Sequence, residues 1–457
     1  MISDRFVKEM KNIVGNKNVL SSREECMCYS YDATGQEYLA DLVVRPITKE
    51  EISQILVLAN KEKIAVYPRG AATGMTGGCL PINGGLVIDL TRMNKIMEID
   101  TENFWAIVEP GVITADLQTA AEEKGLFYPP DPASNKTSTI GGNIAESAGG
   151  LRGLRYGTTK DYVLSLEMVL PTGEIINLGS KTLKSATGYN LISLIVGSEG
   201  TLGIITKAVL KLLPQPECTH TLLAAFKDKE VTIATIIEII KSKIVPAALE
   251  FMDRTAIQCV KEYFELNTDQ IEAALIIEVD GREDTVEKEI RIIEEITKKR
   301  GATTKIAKNV KERNKLWLVR KSISPAIYKI CFTKVNEDIC IPRTKIVEML
   351  NKIEEISKKY GIRVMSYGHA GDGNFHINIL TDKRNKEEMK KVEKAIKEIF
   401  TYTIKIEGTL SGEHGIGNTK SKYLNLEIKE TEMELMKKIK NLFDPANIMN
   451  PGKIFYN

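Results

Sequence analysis

Pro68-Arg-Gly-Ala-Ala-Thr-Gly-Met-Thr-Gly-Gly78 directly follows a short apolar run, Ile64-Ala-Val-Tyr-Pro68, that reads as a β-strand. Glycine lets backbone amides come close to a diphosphate and adopt positive φ. Successive amides in such a loop form an anion-binding nest. The stretch does not end in Gly-Lys-Ser/Thr and lacks the Gly-x-Gly-x-x-Gly spacing, so neither common nucleotide fingerprint applies. Taken alone, a plain glycine-rich turn explains it almost as well. Two later stretches shift the balance. Ser138-Thr-Ile-Gly-Gly-Asn-Ile-Ala-Glu-Ser-Ala-Gly-Gly150 is a long run of small residues, and Gly197-Ser-Glu-Gly-Thr-Leu-Gly-Ile-Ile205 is a third glycine-rich segment. A run of small residues this long suits a flat ligand lying against the backbone.

Upstream of the first loop, Asp41-Leu-Val-Val-Arg-Pro46 reads as a strand. Thr48-Lys-Glu-Glu51 has the form of a capping box, opening an amphipathic helix to about Lys61. Strand, helix and strand make a β-α-β opening. Downstream, Leu86–Leu90 and Ala106–Glu109 read as strands, and Thr114–Lys124 as a helix stopped by Gly125. Ser165–Leu170 and Ile175–Leu178 read as a hairpin across Pro171-Thr-Gly-Glu174. After the strand Ile204–Leu213, Pro214-Gln-Pro216 punctuates the chain. Beyond 217, strands such as Ala273–Val279 alternate with charged helices such as Glu283–Arg300, the texture of an antiparallel sheet with helices on one face. The expected division is 1–216, 217–417, and a C-terminal helix and tail, 418–457, that returns to the first domain. The fold class is α+β.

The 457 residues carry 63 basic and 61 acidic side chains, a net charge of +2. That balance argues against nucleic acid or an anionic membrane surface as the main partner. No apolar run approaches the roughly 20 residues needed to span a bilayer. No signal peptide is visible at the start, Met1-Ile-Ser-Asp-Arg-Phe-Val-Lys-Glu-Met10. A cytoplasmic location is expected. Seven scattered cysteines lack the spacing of a zinc site or iron–sulfur cluster and read as reduced residues.

Histidine is scarcer and more informative. There are four, and three fall between 369 and 414. In Val364-Met-Ser-Tyr-Gly-His-Ala-Gly-Asp-Gly-Asn-Phe-His-Ile-Asn-Ile-Leu380 the Asp-Gly pair favours a two-residue hairpin turn. With Asp372-Gly373 as the turn, His369 directly faces His376, and Asn378 lies on the same face. Two such imidazoles can share a metal. Gly408-Thr-Leu-Ser-Gly-Glu-His-Gly-Ile-Gly417 adds Glu413 and His414. In extended chain these neighbours point apart, so one can bind metal while the other addresses substrate. Hydrogen-bonded core histidines are the bland alternative. Another keeps the site without a metal, the imidazoles binding substrate directly.

These segments resemble the vanillyl-alcohol oxidase/p-cresol methylhydroxylase flavoprotein superfamily. The nearest branch is that of glycolate oxidase, D-lactate dehydrogenase and D-2-hydroxyglutarate dehydrogenase. The likeness rests on Pro-Arg-Gly at 68–70 with Thr73-Gly74, Thr139-Ile-Gly-Gly142, Gly197-Ser-Glu-Gly-Thr-Leu-Gly203, Gly-His-x-Gly-Asp-Gly-Asn-x-His and Gly-Glu-His-Gly. It extends over nearly the whole chain. It implies a two-subdomain FAD-binding domain of the p-cresol methylhydroxylase type, followed by an α+β cap domain with an antiparallel sheet. FAD is expected on Pro68, Arg69, Gly70, Ala71, Thr73, Gly74, Thr76, Gly77 and Gly78; on Thr139, Gly141, Gly142, Asn143, Ser147 and Gly149; and on Gly200, Gly203 and Ile205. No histidine precedes 220 and Cys79 matches no linkage motif, so the flavin is expected to be non-covalent.

The resemblance further implies His369, His376 and Glu413 as ligands of a divalent transition metal (zinc, iron or manganese) and His414 as the base. Arg320 and Lys334 match segments that hold a substrate carboxylate, although Ser324 stands where one related enzyme type has threonine; Asn378 completes the expected catalytic set. The activity implied is oxidation of a small 2-hydroxy acid, with D-lactate first and glycolate or D-2-hydroxyglutarate behind it. The expected electron acceptor is an electron-transfer flavoprotein, with a quinone or iron–sulfur subunit as the rival. A non-redox flavoenzyme and an electron-relay subunit are the readings from other classes.

Overall fold

A computed structural model describes residues 2–264 and 266–456. The chain divides into two compact units. The first contains Met1–Gly149, Thr158–Gln215 and Glu413–Asn457; the second contains Gly150–Gly157 and Pro216–Gly412. Beyond a one-residue shift that puts Pro216 in the second unit, two assignments differ from the sequence expectation. The short segment Gly150–Gly157 belongs with the second unit, and the chain rejoins the first at Glu413 rather than after Gly417. The first difference has a local cause. Leu151 lies in the second unit's core, and Tyr156 donates from its hydroxyl to both carboxylate oxygens of Asp280, at 2.8 and 2.9 Å.

The first unit holds two main sheets. One runs in the order Val19–Leu20, Leu42–Val44, Leu86–Asp89, Val66–Arg69, with the last three strands parallel. The β-α-β opening is present, and Leu86–Asp89 is inserted between its two strands. The crossover helix Lys49–Glu62 starts at a true capping box: Thr48 accepts from the Glu51 amide, and Glu51 reaches back to the Thr48 amide. It buries Ile52, Ile55, Leu56 and Ala59, the spacing of one helical face. The other sheet has five antiparallel strands, Ile96–Asp100, Trp105–Val108, Ile204–Lys211, Val163–Val169 and Ile175–Gly179. The hairpin across 171–174 forms as the sequence suggests, with Gly173 at φ +91°.

The second unit is built on seven antiparallel strands. Their order is Thr303–Ile306, Cys218–Phe226, Ala273–Gly281, Ala248–Asp253, Arg363–His369, Asn374–Thr381 and Thr333–Cys340. Four long helices (Lys229–Lys241, Glu283–Lys299, Ile346–Tyr360, Lys386–Lys405) pack on the sheet and on one another. Glu283–Lys299 buries Val286, Ile290, Ile293 and Thr297, and it carries Glu283 and Asp284 in its first turn and two lysines in its last, matching the helix dipole. Helices are not confined to one face. Val310–Ala326 and Arg254–Cys259 share an apolar cluster with Leu223, Ala274, Ile276, Met252 and Met365 of the strands.

Side chains alternate along a strand, so each strand sorts its residues between the two layers. Phe375, Ile377 and Ile379 face one way, and Phe375 packs against Phe251 with ring centroids 5.7 Å apart. Burying each large apolar side chain contributes about 1.5–3 kcal/mol. Asn374, His376 and Asn378 must then face the side that carries Val310–Ala326. Among the described residues no helix is long and apolar enough to cross a membrane.

Candidate active site

In the second unit the polar face of the sheet gathers the catalytic candidates. The hairpin register differs from expectation. His369 pairs with Asn374 and Tyr367 pairs with His376, so the connection is the four residues Ala370–Gly373 rather than a two-residue Asp-Gly turn. The reason is local. The amides of both Asp372 and Gly373 donate to the His369 carbonyl (3.2 and 3.0 Å), and Gly373 takes φ +87°. A shift of two residues preserves the facing side, whereas a shift of one would have reversed it. The imidazoles therefore remain neighbours, with centroids 5.2 Å apart and planes at 88°.

Each imidazole has a buried carboxylate beside it. Glu250 is registered with His369 across the sheet, and its Oε1 lies 2.5 Å from His369 Nδ1. Its Oε2 accepts from Arg320 Nε at 2.7 Å. Burial pushes Glu250 up, but His369 and Arg320 beside it outweigh that effect and hold the carboxyl below the usual range. Asp338 is registered with His376, and its Oδ1 lies 3.9 Å from His376 Nδ1. Asp338 also accepts from the Gly412 amide (2.9 Å) and the Ser411 hydroxyl (3.1 Å). It thereby pins the loop residues that precede Glu413.

Arg320 is buried and sits over the Tyr367 ring at 4.5 Å, so it is no solvated surface charge. Its bond to Glu250 uses only the Nε donor of a many-donor fork. Lys334 Nζ lies 2.5 Å from Ser324 Oγ, and burial pushes its amine down from the ordinary range. The serine at position 324 is thus tied to the lysine. Asn378 is fully buried. It accepts from Asn336 at 2.9 Å and donates to the His376 carbonyl at 3.2 Å.

In the first unit the three glycine-rich loops converge. A Cβ on Gly70 would lie 2.2 Å from Thr139 Oγ1, so the first loop and the second touch where only glycine fits. Pro68 and Gly200 bring the first and third loops together in the same way. Thr139 caps the helix Ile140–Glu146 through the Gly142 amide. Gly141 packs on Pro110, Asn143 donates to Thr114 at 2.7 Å, and Ser147 ends the helix at φ +52°. Gly203 and Ile205 lie against Met168 of the neighbouring strand. Several of these positions therefore serve packing between loops. An opening of about 730 Å³ is lined by Tyr29, Asp32, Arg69, Gly70, Ala71 and Thr73. A Cβ on Gly74 would meet nothing within 4 Å. The opening along the Arg69–Thr73 backbone fits the phosphate-bearing part of a dinucleotide.

The Gly-Glu-His-Gly segment is fastened to these loops. Glu199 accepts from the amides of Ile416 and Gly417, both at 2.7 Å. Thr76 donates from its hydroxyl to the His414 carbonyl at 3.0 Å. A Cβ on Gly149 would lie 2.7 Å from Glu413 Oε2. The segment is bent rather than extended, so Glu413 and His414 do not point apart; His414 Nε2 lies 3.9 Å from Glu413 Oε1. Gly77 and Gly78 flank the same region, next to Asn418 and Glu146. Burial, and then the charges of Glu199 and Asp32, push Glu146 well above the usual carboxylate range. Asn450 joins the first and third loops by donating to Gly78 O and Glu199 O, at 2.8 and 2.6 Å.

Sequence reasoning missed Glu250, Asp338 and Asn450. A lone acid inside an apolar run, Ala248-Leu-Glu-Phe-Met252, was the available signal for Glu250. Nothing local marked the other two.

A carboxylate beside Nδ1 is the arrangement common around metal-binding histidines, so His369 fits a metal site in which Nε2 would be the ligand atom. Two imidazoles suit zinc or iron, and a carboxylate beside them would suit manganese.

Comparison with known proteins identifies the family. Residues 215–454 match the family "FAD linked oxidases, C-terminal domain" and residues 40–179 match "FAD binding domain". The chain is 45% identical to the glycolate oxidase subunit GlcD of Bacillus subtilis, over 100% of this chain and 97% of the relative. It is 38% identical to a D-lactate dehydrogenase of Anaerostipes hadrus, over 91% of this chain and 90% of the relative. Among solved structures, p-cresol methylhydroxylase aligns with a TM-score of 0.83 at 18% identity, covering 99% of this chain and 97% of that one. An alkyldihydroxyacetonephosphate synthase aligns at 0.79 and 21%, covering 99% and 86%. At these identities the structural likeness speaks for the fold alone.

Proposed function

We propose, from the premise that this chain belongs to the FAD-linked oxidoreductase family of glycolate oxidase and D-lactate dehydrogenase, that it oxidises D-lactate to pyruvate. The observation that carries the proposal is the shared face of Arg320, Lys334, His369, His376 and Asn378 in the second unit. Arg320 and Lys334 bind the substrate carboxylate, the guanidinium through paired donors. Asn378 is the polar side chain next along the row. His414 takes the proton of the 2-hydroxyl, a task suited to a neutral imidazole. FAD, held without a covalent bond on the loops at 68–78, 138–150 and 197–205, supplies the two-electron acceptor for the C2 hydrogen. In this reading His369, His376 and Glu413 would hold a divalent zinc, iron or manganese ion, which would supply the charge that lowers the hydroxyl pKa.

Electrons then pass to an electron-transfer flavoprotein or a comparable redox partner. The reading places the enzyme in the cytoplasm, where its seven cysteines stay reduced.

Glycolate is the second reading, favoured by the 45% identity to a glycolate oxidase subunit. The two substrates differ by one methyl, which a pocket discriminates only modestly. Anaerobic mixing of the purified protein with D-lactate, L-lactate, glycolate and D-2-hydroxyglutarate decides between them. Fastest bleaching of the flavin by D-lactate is the expected result. Fastest bleaching by glycolate transfers the assignment. No bleaching by any hydroxy acid overturns it in favour of a non-redox flavoenzyme or an electron-relay subunit.

A further inference from the structure

We infer that Glu250 is a positioning residue that sets His369 and Arg320 with one carboxylate. The inference rests on the proposed roles of those two residues. Glu250 is fully buried, in the strand Ala248–Asp253, at the register position of His369. Its two oxygens are divided between two functions: Oε1 meets His369 Nδ1 at 2.5 Å and Oε2 meets Arg320 Nε at 2.7 Å. An ionised carboxylate only accepts. His369 Nδ1 must therefore carry a proton, and in the neutral imidazole the lone pair then sits on Nε2. The same carboxylate neutralises the buried guanidinium and, with the Tyr367 ring 4.5 Å away, fixes its plane. A buried arginine without its partner is strongly unfavourable. The site that takes the substrate hydroxyl and the site that takes its carboxylate thus share one support.

A glutamine at 250 cannot accept from both neighbours: its oxygen can take Arg320 Nε–H only if its amide nitrogen donates to His369, which requires the Nε2–H tautomer. Glu250→Gln is nearly isosteric, so it separates hydrogen-bond polarity from volume.

The chain has only four histidines, so selective 15N-histidine labelling gives a readable spectrum. In the FAD-loaded, metal-stripped wild type at pH 8, long-range 15N–1H correlation should report His369 as the Nδ1–H tautomer. His369→Gln assigns the signal. An Nε2–H tautomer in the wild type overturns the inference, whether or not any variant folds. In Glu250→Gln the His369 tautomer should become mixed, zinc affinity in a competing-chelator titration should fall about 10- to 100-fold, and KM for the hydroxy acid should rise while FAD content stays unchanged. A variant with lower thermal stability but an unchanged tautomer and unchanged KM also overturns it, since that is a purely structural role. A wild type that shows the Nδ1–H tautomer but binds no transition metal supports the Glu250 assignment and sinks the metal reading instead.

Discussion

The imidazoles of His369 and His376 lie with ring centroids 5.2 Å apart, although neither residue is the registered partner of the other. His369 pairs with Asn374 and His376 with Tyr367, and the two rings meet diagonally on one face of the hairpin. Diagonal neighbours on a sheet face lie within reach of ring side chains.

A cation held by this pair depends on both rings. His376→Ala should lose bound zinc, iron or manganese as measured by elemental analysis, and lose at least about 100-fold in kcat/KM. Its FAD absorbance should persist, because the glycine-rich loops belong to the first unit. Metal retained at wild-type stoichiometry would remove His376 from the ligand set.

His414 is separated from that pair by its proposed role. His414→Ala should remain yellow yet be reduced by substrate about 100- to 10,000-fold more slowly, the usual contribution of a general base. Stopped-flow bleaching under nitrogen is the measurement. Near-normal bleaching would assign the proton transfer to another group.

Gly417 tests how the His414 loop is held. It takes φ +53°, and an added Cβ would lie 2.0 Å from the Thr76 carbonyl oxygen. Gly417→Ala should cost about 1–3 kcal/mol in chemical denaturation. It should lower activity more than FAD content, because Thr76 also holds the His414 carbonyl. An alanine variant with wild-type stability would show that the loop relaxes freely.

Lys453 gives a pH dependence. It is buried, donates to the Leu80 carbonyl at 2.6 Å and lies 4.9 Å from the centre of the Tyr67 ring. Burial pushes its amine down to about 8. The folded value lies below the unfolded one of about 10.4, so the folded state releases its proton first. The charged form therefore costs stability below pH 8, and that cost is relieved as pH rises from about 8 to about 10.4. Relative to Lys453→Met, the wild type should gain up to about 3 kcal/mol across that window in urea titrations. A pH-independent difference would mean that Lys453 keeps its proton throughout.

Much of the fold was legible from local pattern. The capping box at Thr48–Glu51 produced the helix it announced, and the turn at 171–174 produced its hairpin, because both signals act within a few residues. The three glycine-rich loops were also legible, but their reason was only partly so. Gly70 faces Thr139 and Gly200 faces Pro68, so these glycines are demanded by neighbouring loops as well as by a ligand. Such contacts join positions far apart in the chain and leave no local spacing to read. The hairpin register failed by two residues for a related reason. Asp-Gly favours a two-residue turn, but the bonds of Asp372 and Gly373 to the His369 carbonyl, and of the Gly371 amide to Leu249 O, fix a longer one.

By itself, the sequence determined the β-α-β opening, the change of texture after Pro216, and the facing side of His369, His376 and Asn378. Period-two alternation fixes a strand's face whatever its exact partner. Only the tertiary structure decided which buried carboxylates support those side chains. Glu250 lies 119 positions before His369 and 70 before Arg320, and it meets both only because sheet registry and a packed helix bring them to one place.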